Sequence, residues 1–374
     1  MKILELCHFT SGACGVWERV KRESILLAEK GHEVRVFSSN ISKGSDKNAE
    51  PEEKIGEIKI TRFPYIKLGG ESFLSWNFEK DAIKYSPEVI IAHSYRHLHT
   101  TKAIHLAKKI GAKVFLVTHA PFERSSTRSL FERVIVKLYD YFIGRTTLKK
   151  FTKVIAITQW EIPYLLELGV PKEKIEYIPN GIPEEFFKIK PNSKEKKEVI
   201  YMGRISPIKD LETLIASLSF LKDKKIKLRI YGPSEDDYLE RLNKIISDLN
   251  LQSRIIIINS TFNKTIQIKE LDSAFVYVLS SKSEGMPQTL IEAMARKRVV
   301  IASNNKGNMD LISDKKNGIL FEVGSPKDLA EKIEFAFDKE NKKTINKIRE
   351  NAQKSVERFK WNKLINSLDN LFYK

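Results

Sequence analysis

Ala274-Phe275-Val276-Tyr277-Val278-Leu279, followed after a short gap by Ser283-Glu284-Gly285-Met286-Pro287-Gln288-Thr289-Leu290-Ile291-Glu292-Ala293-Met294-Ala295, is the stretch from which the rest of the chain can be read. The first run is short, apolar, and rich in β-branched and aromatic residues, which predicts a buried strand. Gly285 and Pro287 then turn the chain, and an Ala/Leu/Met-rich segment predicts a helix. Strand, turn and helix in that order make one βα unit of a parallel sheet. The amides of Gln288, Thr289 and Leu290 would start the helix without intrahelical acceptors, so they can hold an anion. Glu284 on the loop and Glu292 inside the helix add two acids. An acid, free amides and a second acid at a strand end suit a sugar joined to a diphosphate and a ribose.

Outward from this stretch the same rhythm recurs. In the first half, Lys2–Leu6, Glu33–Ser38, Val89–His93, Lys113–Thr118, Val154–Thr158 and Lys174–Pro179 read as strands, with helical periodicity through Val16, Val20, Leu27 and Ala28 and again over Lys102–Ile110. Gly31 and Gly111 fall where helix C-caps are expected. Lys43–Lys59 reads as a charged surface loop and hairpin. Phe122–Lys153 is aromatic and basic; packed surface helices are the favoured reading, and a membrane-interface or acceptor-docking face the other. After the charged, linker-like run Lys188–Glu198, strands are expected at Glu198–Met202, Lys227–Tyr231, Arg254–Ile258 and Val299–Ala302. Ser206-Pro207 has the composition of a helix start, which would put Lys209 in a first helical turn. The expected fold is α/β, two doubly wound halves: residues 1–185, residues 198–356, and a closing helix over 357–374 that returns to the first half.

The totals agree with two domains. The chain has 374 residues, 41% of them hydrophobic and 30% charged, an ordinary globular balance. Two cysteines, Cys7 and Cys14, give neither a disulfide framework nor a paired CxxC zinc site. No stretch spans a bilayer and the first residues read as a strand, so a cytoplasmic location is expected. The net charge of +17 is spread over both halves, against a dedicated nucleic-acid tail. Anionic membranes, phosphorylated substrates or a Lys-rich thermophile-like composition all fit it.

The chemistry narrows by exclusion. Ser11-Gly12-Ala13-Cys14-Gly15 is not GxGxxG, and Ser38-Ser39-Asn40 lacks the ribose-binding acid of a dinucleotide site. No P-loop occurs, and Asp236-Asp237 is not a spaced acid pair for a metal-bound nucleotide sugar. Arg204, after Gly203 at one strand end, and Lys209 five residues on are cations able to neutralise a departing diphosphate without metal.

Glu284 and Glu292, within SEGMPQTLIEA, form the E-x7-E pattern of retaining glycosyltransferases, and the resemblance extends along the chain. Cys14-Gly15-Val16-Trp17-Glu18-Arg19, Gly31-His32-Glu33-Val34, Ile178-Pro179-Asn180-Gly181-Ile182, Gly203-Arg204 with Lys209, Gly307-Asn308, and Asn317-Gly318-Ile319-Leu320-Phe321 are similar to motifs of glycosyltransferase family 4, the group 1 transferases. The resemblance implies a GT-B fold of two Rossmann-like domains facing across a cleft, the first on the acceptor side and the second binding the nucleotide sugar. It implies retaining, metal-independent transfer of a hexose from a UDP- or GDP-linked donor to an acceptor hydroxyl, with no cofactor.

By the same resemblance, Glu284 would contact the donor sugar, as would backbone amides of Gly285, Met286, Pro287 (through its neighbours, having none itself) and Gln288. Amides of Thr289 and Leu290 would take the phosphate, Glu292 the ribose, and Arg204 and Lys209 the diphosphate. His119 matches a family histidine near the sugar, and Gly15 would let its loop approach the phosphates. The family's usual pair of glycines is here Cys14-Gly15. His8 and Glu18 are candidates for lining the acceptor side. Expected partners are the nucleotide sugar, a glycan, lipid-linked or small-molecule acceptor, and, through the basic surface, an anionic membrane; nucleic acid is not expected. The alternatives are a UDP-N-acetylhexosamine epimerase of the same fold and a non-enzymatic basic membrane or nucleic-acid adaptor.

Overall fold

The computed structural model describes residues 1–12, 14–43, 47–68, 73–122, 129–189, 195–234, 236–261 and 263–373. The chain forms two compact units: residues up to Asn180 cluster with those from Asn362 onward, and Gly181–Trp361 form the other.

The first unit is built on eight strands: β1 (Lys2–Leu6), β2 (Glu33–Ser39), β3 (Glu52–Ile55), β4 (Ile58–Phe63), then, past the small hairpin of β5 (Tyr65–Lys67) and β6 (Leu74–Trp76), β7 (Val89–His93), β8 (Lys113–Val117), β9 (Lys153–Ala156) and β10 (Ile175–Tyr177). Their spatial order is β10-β9-β8-β7-β1-β2-β4-β3, and every pair is parallel except β3 with β4. Strand order reverses direction between β1 and β7. All five residues of β7 and the last four of β1 are buried, as strands covered on both faces should be. The hairpin expected in the charged loop exists, but its second strand is not on the surface: Ile58 and Ile60 are buried, and β4 pairs with β2 inside the sheet.

The reading of Phe122–Lys153 as packed surface helices is corrected for its first helix; residues 123–128 lie outside the described set. The helix Leu130–Tyr139 has no buried residue, continues through a π-turn at Asp140–Gly144, and reaches the interior at Leu148. Its far end is anchored: Asp140 receives the Arg96 guanidinium (2.9 and 2.6 Å) and the Tyr95 hydroxyl (3.0 Å), and Tyr139 packs edge-on against Tyr95. Gly144 allows this seat, because a Cβ there would stand 2.0 Å from the Tyr95 hydroxyl.

The closing helix Trp361–Leu371 belongs, from Asn362, to this first unit. Asp369 pairs with His32 (3.0 Å) and Lys30 (3.2 Å), and Phe372 packs against Phe115.

The second unit has six strands: β11 (Lys196–Met202), β12 (Lys227–Tyr231), β13 (Ile255–Ile258), β14 (Ala274–Leu279), β15 (Val299–Ser303) and β16 (Ile319–Phe321). Their order is β13-β12-β11-β14-β15-β16, all parallel, so the winding reverses between β11 and β14. The expected linker behaves differently from its composition. The chain changes unit between Asn180 and Gly181, and the residues just after are already fastened to the second unit. The buried Arg296 guanidinium donates to the carbonyls of Phe186 (3.3 Å) and Lys188 (2.6 Å) and pairs with Asp272. Residues 190–194 lie outside the described set.

Gly181 packs flat against the Trp361 indole; a Cβ there would sit 2.4 Å from the ring. Gly181→Ala should therefore destabilise the protein by about 1–3 kcal/mol through overpacking, read as a lower urea midpoint. An unchanged midpoint would show that the indole shifts without cost.

Candidate functional site

In a doubly wound sheet the carboxyl ends of the two strands that flank the reversal open into a crevice where ligands bind. In the second unit those strands are β11 and β14, and the predicted site residues leave from their ends.

The end of β11 turns at Gly203, where a Cβ would lie 2.7 Å from the Tyr201 hydroxyl. That hydroxyl donates to the Arg204 carbonyl at 2.8 Å and fixes the turn. Arg204 is exposed. Burial pushes the Tyr201 phenol up; Glu284 adds to the rise and Arg204 opposes it, so both charges lie near this hydroxyl. Lys209 is not in a helical first turn as its sequence suggested. Pro207–Lys209 is a single 3₁₀ turn, Asp210 adopts a left-handed backbone (φ 49°), and the helix starts at Leu211. Ser206 makes no cap; Thr213 instead donates to the Asp210 carboxylate at 2.7 Å.

This turn is tied to the end of β14. Ser280 donates to the Lys209 carbonyl (2.8 Å), and the Lys282 amide donates to the Ile208 carbonyl (2.9 Å). As a result the Lys209 ammonium meets the Glu284 carboxylate at 2.6 Å, and Ser281 donates to the same carboxylate oxygen at 2.6 Å. Lys209 and Glu284, 75 positions apart, are thus one unit of charge at the reversal.

The loop of Glu284 is braced from the next strand. Ser303 (2.6 Å) and Asn305 (2.9 Å) donate to the Ser281 carbonyl, and Gly307 passes so close that a Cβ would be 2.2 Å from the Glu284 carbonyl oxygen. The helix Gln288–Ala295 then begins, with Pro287 at its N-cap and no side chain capping it. The amides of Gln288, Thr289 and Leu290 have no acceptor within the helix. The Thr289 hydroxyl accepts from Tyr277 at 2.8 Å. Met286 is buried beneath the turn. Glu292 is one helical turn further, buried, and receives the Gln267 amide at 2.5 Å.

Ser281 and Gln267 were missed by sequence reasoning. The two serines that end the apolar run of β14 were a usable signal for Ser281. Gln267 gives none, since a glutamine inside a helix looks like any solvent-facing residue.

The remaining predicted residues lie in the first unit. Gly15 starts the helix Gly15–Glu29 beside the N-cap residue Cys14, and a Cβ on it would meet nothing within 4 Å. No internal contact demands glycine there. Glu18 is exposed on that helix, whereas His8 is buried, edge-on to Phe9 and stacked on His99, rather than lining a surface. His119 follows β8 in a left-handed backbone (φ 60°). Its Nε2 is 3.0 Å from Nδ1 of His93, whose Nε2 is 2.7 Å from the Glu5 carboxyl. These residues stand at that sheet's own reversal, between β1 and β7.

Burial pushes the Glu5 carboxyl up to about 8 against the pull of Arg19, and pushes His93 down to about 4. Burial first, then His93, holds His119 well below the usual imidazole range. With the proton on Glu5 donated to His93 Nε2, His93 Nδ1–H donates to His119, leaving the His119 proton on Nδ1. Among the described residues, Glu5, Glu23 and His93 bring donors within 4.8 Å of one another, the one such grouping able to hold a cation. Arg19 already supplies the positive charge, pairing with Glu23 at 2.9 Å while donating to Asn180 and the Ile178 carbonyl.

The comparisons with known proteins come from both halves of the chain. Residues 14–186 match the family model described as Glycosyltransferase Family 4, and residues 183–355 that described as Glycosyl transferases group 1. An uncharacterised glycosyltransferase of Methanocaldococcus jannaschii is 24% identical over 367 residues, covering 93% of this chain and 91% of that protein. The capsular polysaccharide biosynthesis glycosyltransferase CapM of Staphylococcus aureus is 25% identical over 290 residues, 72% and 74% of the two chains. The solved structure of Anabaena HepE in complex with UDP and glucose has a TM-score of 0.75 at 18% identity, covering 100% and 99%. Two doubly wound α/β units of this kind define the GT-B class of fold. The chain belongs to the group 1 glycosyltransferases of family 4 type.

The proton on Glu5 makes stability depend on pH. Its folded value, about 8, lies above the ordinary 4.5, so between those values the folded chain holds a proton that the unfolded chain has released. His93, lowered from 6.5 to about 4, acts in the opposite direction below pH 6.5. From pH 6.5 to 8 the Glu5 contribution is lost, joined near pH 7 by that of Glu161, whose carboxyl burial raises to about 7; the Glu5 share is a fall of about 1–2 kcal/mol. Urea unfolding at the two pH values should show it, and Glu5→Gln should flatten it; an equal slope in the variant would assign the proton elsewhere.

Proposed function

We propose that this glycosyltransferase moves a hexose from a nucleoside-diphosphate sugar, UDP- or GDP-linked, to an acceptor hydroxyl with retention of anomeric configuration and without a metal ion. The observation that carries the reading is the Lys209–Glu284 ion pair at the reversal of the second sheet, next to an uncapped helix start. Such a pair holds a cation for phosphate oxygens and a carboxylate for sugar hydroxyls at one point. A ligand that carries both groups gives each its own partner.

In this reading Glu284 accepts from the donor sugar's hydroxyls, and the backbone from Gly285 to Gln288 lies along the sugar. Thr289 and Leu290 amides, Arg204 and Lys209 take the diphosphate, whose charge grows as the glycosidic bond breaks; aimed donors and cations at that charge lower the barrier. Glu292, oriented by Gln267, accepts from the ribose. The acceptor hydroxyl attacks from the face the diphosphate leaves, and its proton passes to a phosphate oxygen. The protein's part is to position and to stabilise charge. A glycan, lipid-linked or small-molecule acceptor fits, and CapM's capsular polysaccharide pathway supports the first.

Turnover of UDP- and GDP-hexoses in excess EDTA should match turnover with added magnesium; loss of activity on chelation would overturn the metal-free reaction. A product that is an epimerised donor formed without acceptor would point to epimerase chemistry. Glu292→Ala should weaken nucleoside-diphosphate binding by about 1–3 kcal/mol in calorimetry, the cost of a charge-assisted hydrogen bond. Unchanged affinity would remove Glu292 from the site.

A further inference from the structure

The helix Leu130–Tyr139 poses a problem that the transferase reaction does not answer. Leu130 is 79% exposed and Phe131 73%, and Val134, Ile135 and Leu138 are exposed beside them. At ~100° per residue these five side chains occupy one arc of roughly 140° with no charged residue inside it. Phe142, 65% exposed, carries the surface onward past the π-turn. Large apolar faces of this kind are rare on a protein that stays in water and mark an interaction surface.

The face is held outward by its anchors. Ser129 and Glu132 form a reciprocal capping box at the start, with the Glu132 amide donating to the Ser129 hydroxyl at 3.2 Å and the Ser129 amide to the Glu132 carboxylate at 2.8 Å. At the other end Asp140 is fixed by Arg96 and Tyr95. Both acids of the segment 129–150 are therefore engaged in holding the helix. Its basic residues number five, and of these Lys137, Arg145, Lys149 and Lys150 are exposed at the edge of the face or just beyond it. An apolar arc flanked by exposed lysine and arginine, on a chain of net charge +17, matches a surface that is oily within and negative at its rim.

We infer that the apolar face of helix Leu130–Tyr139, with its continuation at Phe142, docks the protein on an anionic lipid bilayer. The helix lies in the headgroup region, its apolar side chains reaching the acyl boundary and its lysines and arginines meeting lipid phosphates. No segment of the helix crosses the bilayer: no helix among the described residues is long and apolar enough. The docking stands apart from sugar transfer and is read without turnover.

Flotation with vesicles of phosphatidylcholine alone and of phosphatidylcholine mixed with phosphatidylglycerol tests it. The protein should float with the mixed vesicles, bind the neutral ones weakly, and lose binding as salt is raised. Phe131→Ser combined with Leu138→Ser should cut partitioning by about tenfold or more, because two large apolar side chains leave the acyl boundary. Both positions are exposed, so the circular dichroism spectrum and urea midpoint should stay as they were. The proposal is overturned if the unaltered protein stays off the anionic vesicles or if the double variant binds them as well. It is equally overturned if ultracentrifugation shows a dimer that the double variant abolishes while no vesicle binds, which would assign the face to a second copy of the chain.

Discussion

Gly307 lies against the carbonyl oxygens of Glu284 and Gly285 so closely that a Cβ would stand 2.2 and 2.6 Å from them. This approach, possible only without a side chain, sets the position of the acidic loop. The same neighbouring segment grips the loop from below through Ser303 and Asn305, and the loop in turn seats the 3₁₀ turn that carries Lys209. A carboxylate and an ammonium on loops this tightly joined give up little freedom when they pair. A similar pair between two flexible surface side chains would contribute about 0–1 kcal/mol. Its worth here is placement: the charges stand where the sheet's winding opens.

Both units use the reversal point of a doubly wound sheet, but they manage charge there in opposite ways. In the second, Lys209 and Glu284 form an ion pair in partial contact with water. In the first, the reversal is lined by Glu5, Glu23, His93 and Arg19, all wholly buried. Burial disfavours the charged forms of Glu5, His93 and His119, so Glu5 keeps its proton and the two histidines stay neutral, and the path from Glu5 to His119 transmits hydrogen-bond direction rather than charge. One reversal is suited to anions; the other is suited to fixing which nitrogen of His119 bears a proton.

The architecture was legible because parallel strands buried on both faces write themselves as continuous apolar runs, such as Val89–Ala92 and Ala274–Leu279. The ends of those runs also marked Gly203, Arg204, Glu284 and the helix start at Gln288. What composition could not show were departures set by tertiary contacts. Ser206-Pro207 looked like a helix start, yet the left-handed Asp210 breaks the chain before the helix begins. Lys188 looked like part of a linker, yet a buried arginine more than a hundred residues away holds its carbonyl. Gln267 beside Glu292 carried no local signal at all. The segment from Leu130 was misjudged for another reason: an apolar periodicity predicts a buried face and says nothing of what buries it.

The closing helix has a consequence for how the protein is made. Asp369, which binds His32, and Phe372, which packs on Phe115, complete a unit whose other residues end at Asn180. On the ribosome the chain emerges in order, and domains fold as they appear. The first unit must therefore wait, with the surface around His32 and Phe115 uncovered, while the whole of Gly181–Trp361 is synthesised. The second unit has no such debt and can close as soon as its own last strand and helices are out. The part of the protein that is translated first is thus the part that matures last.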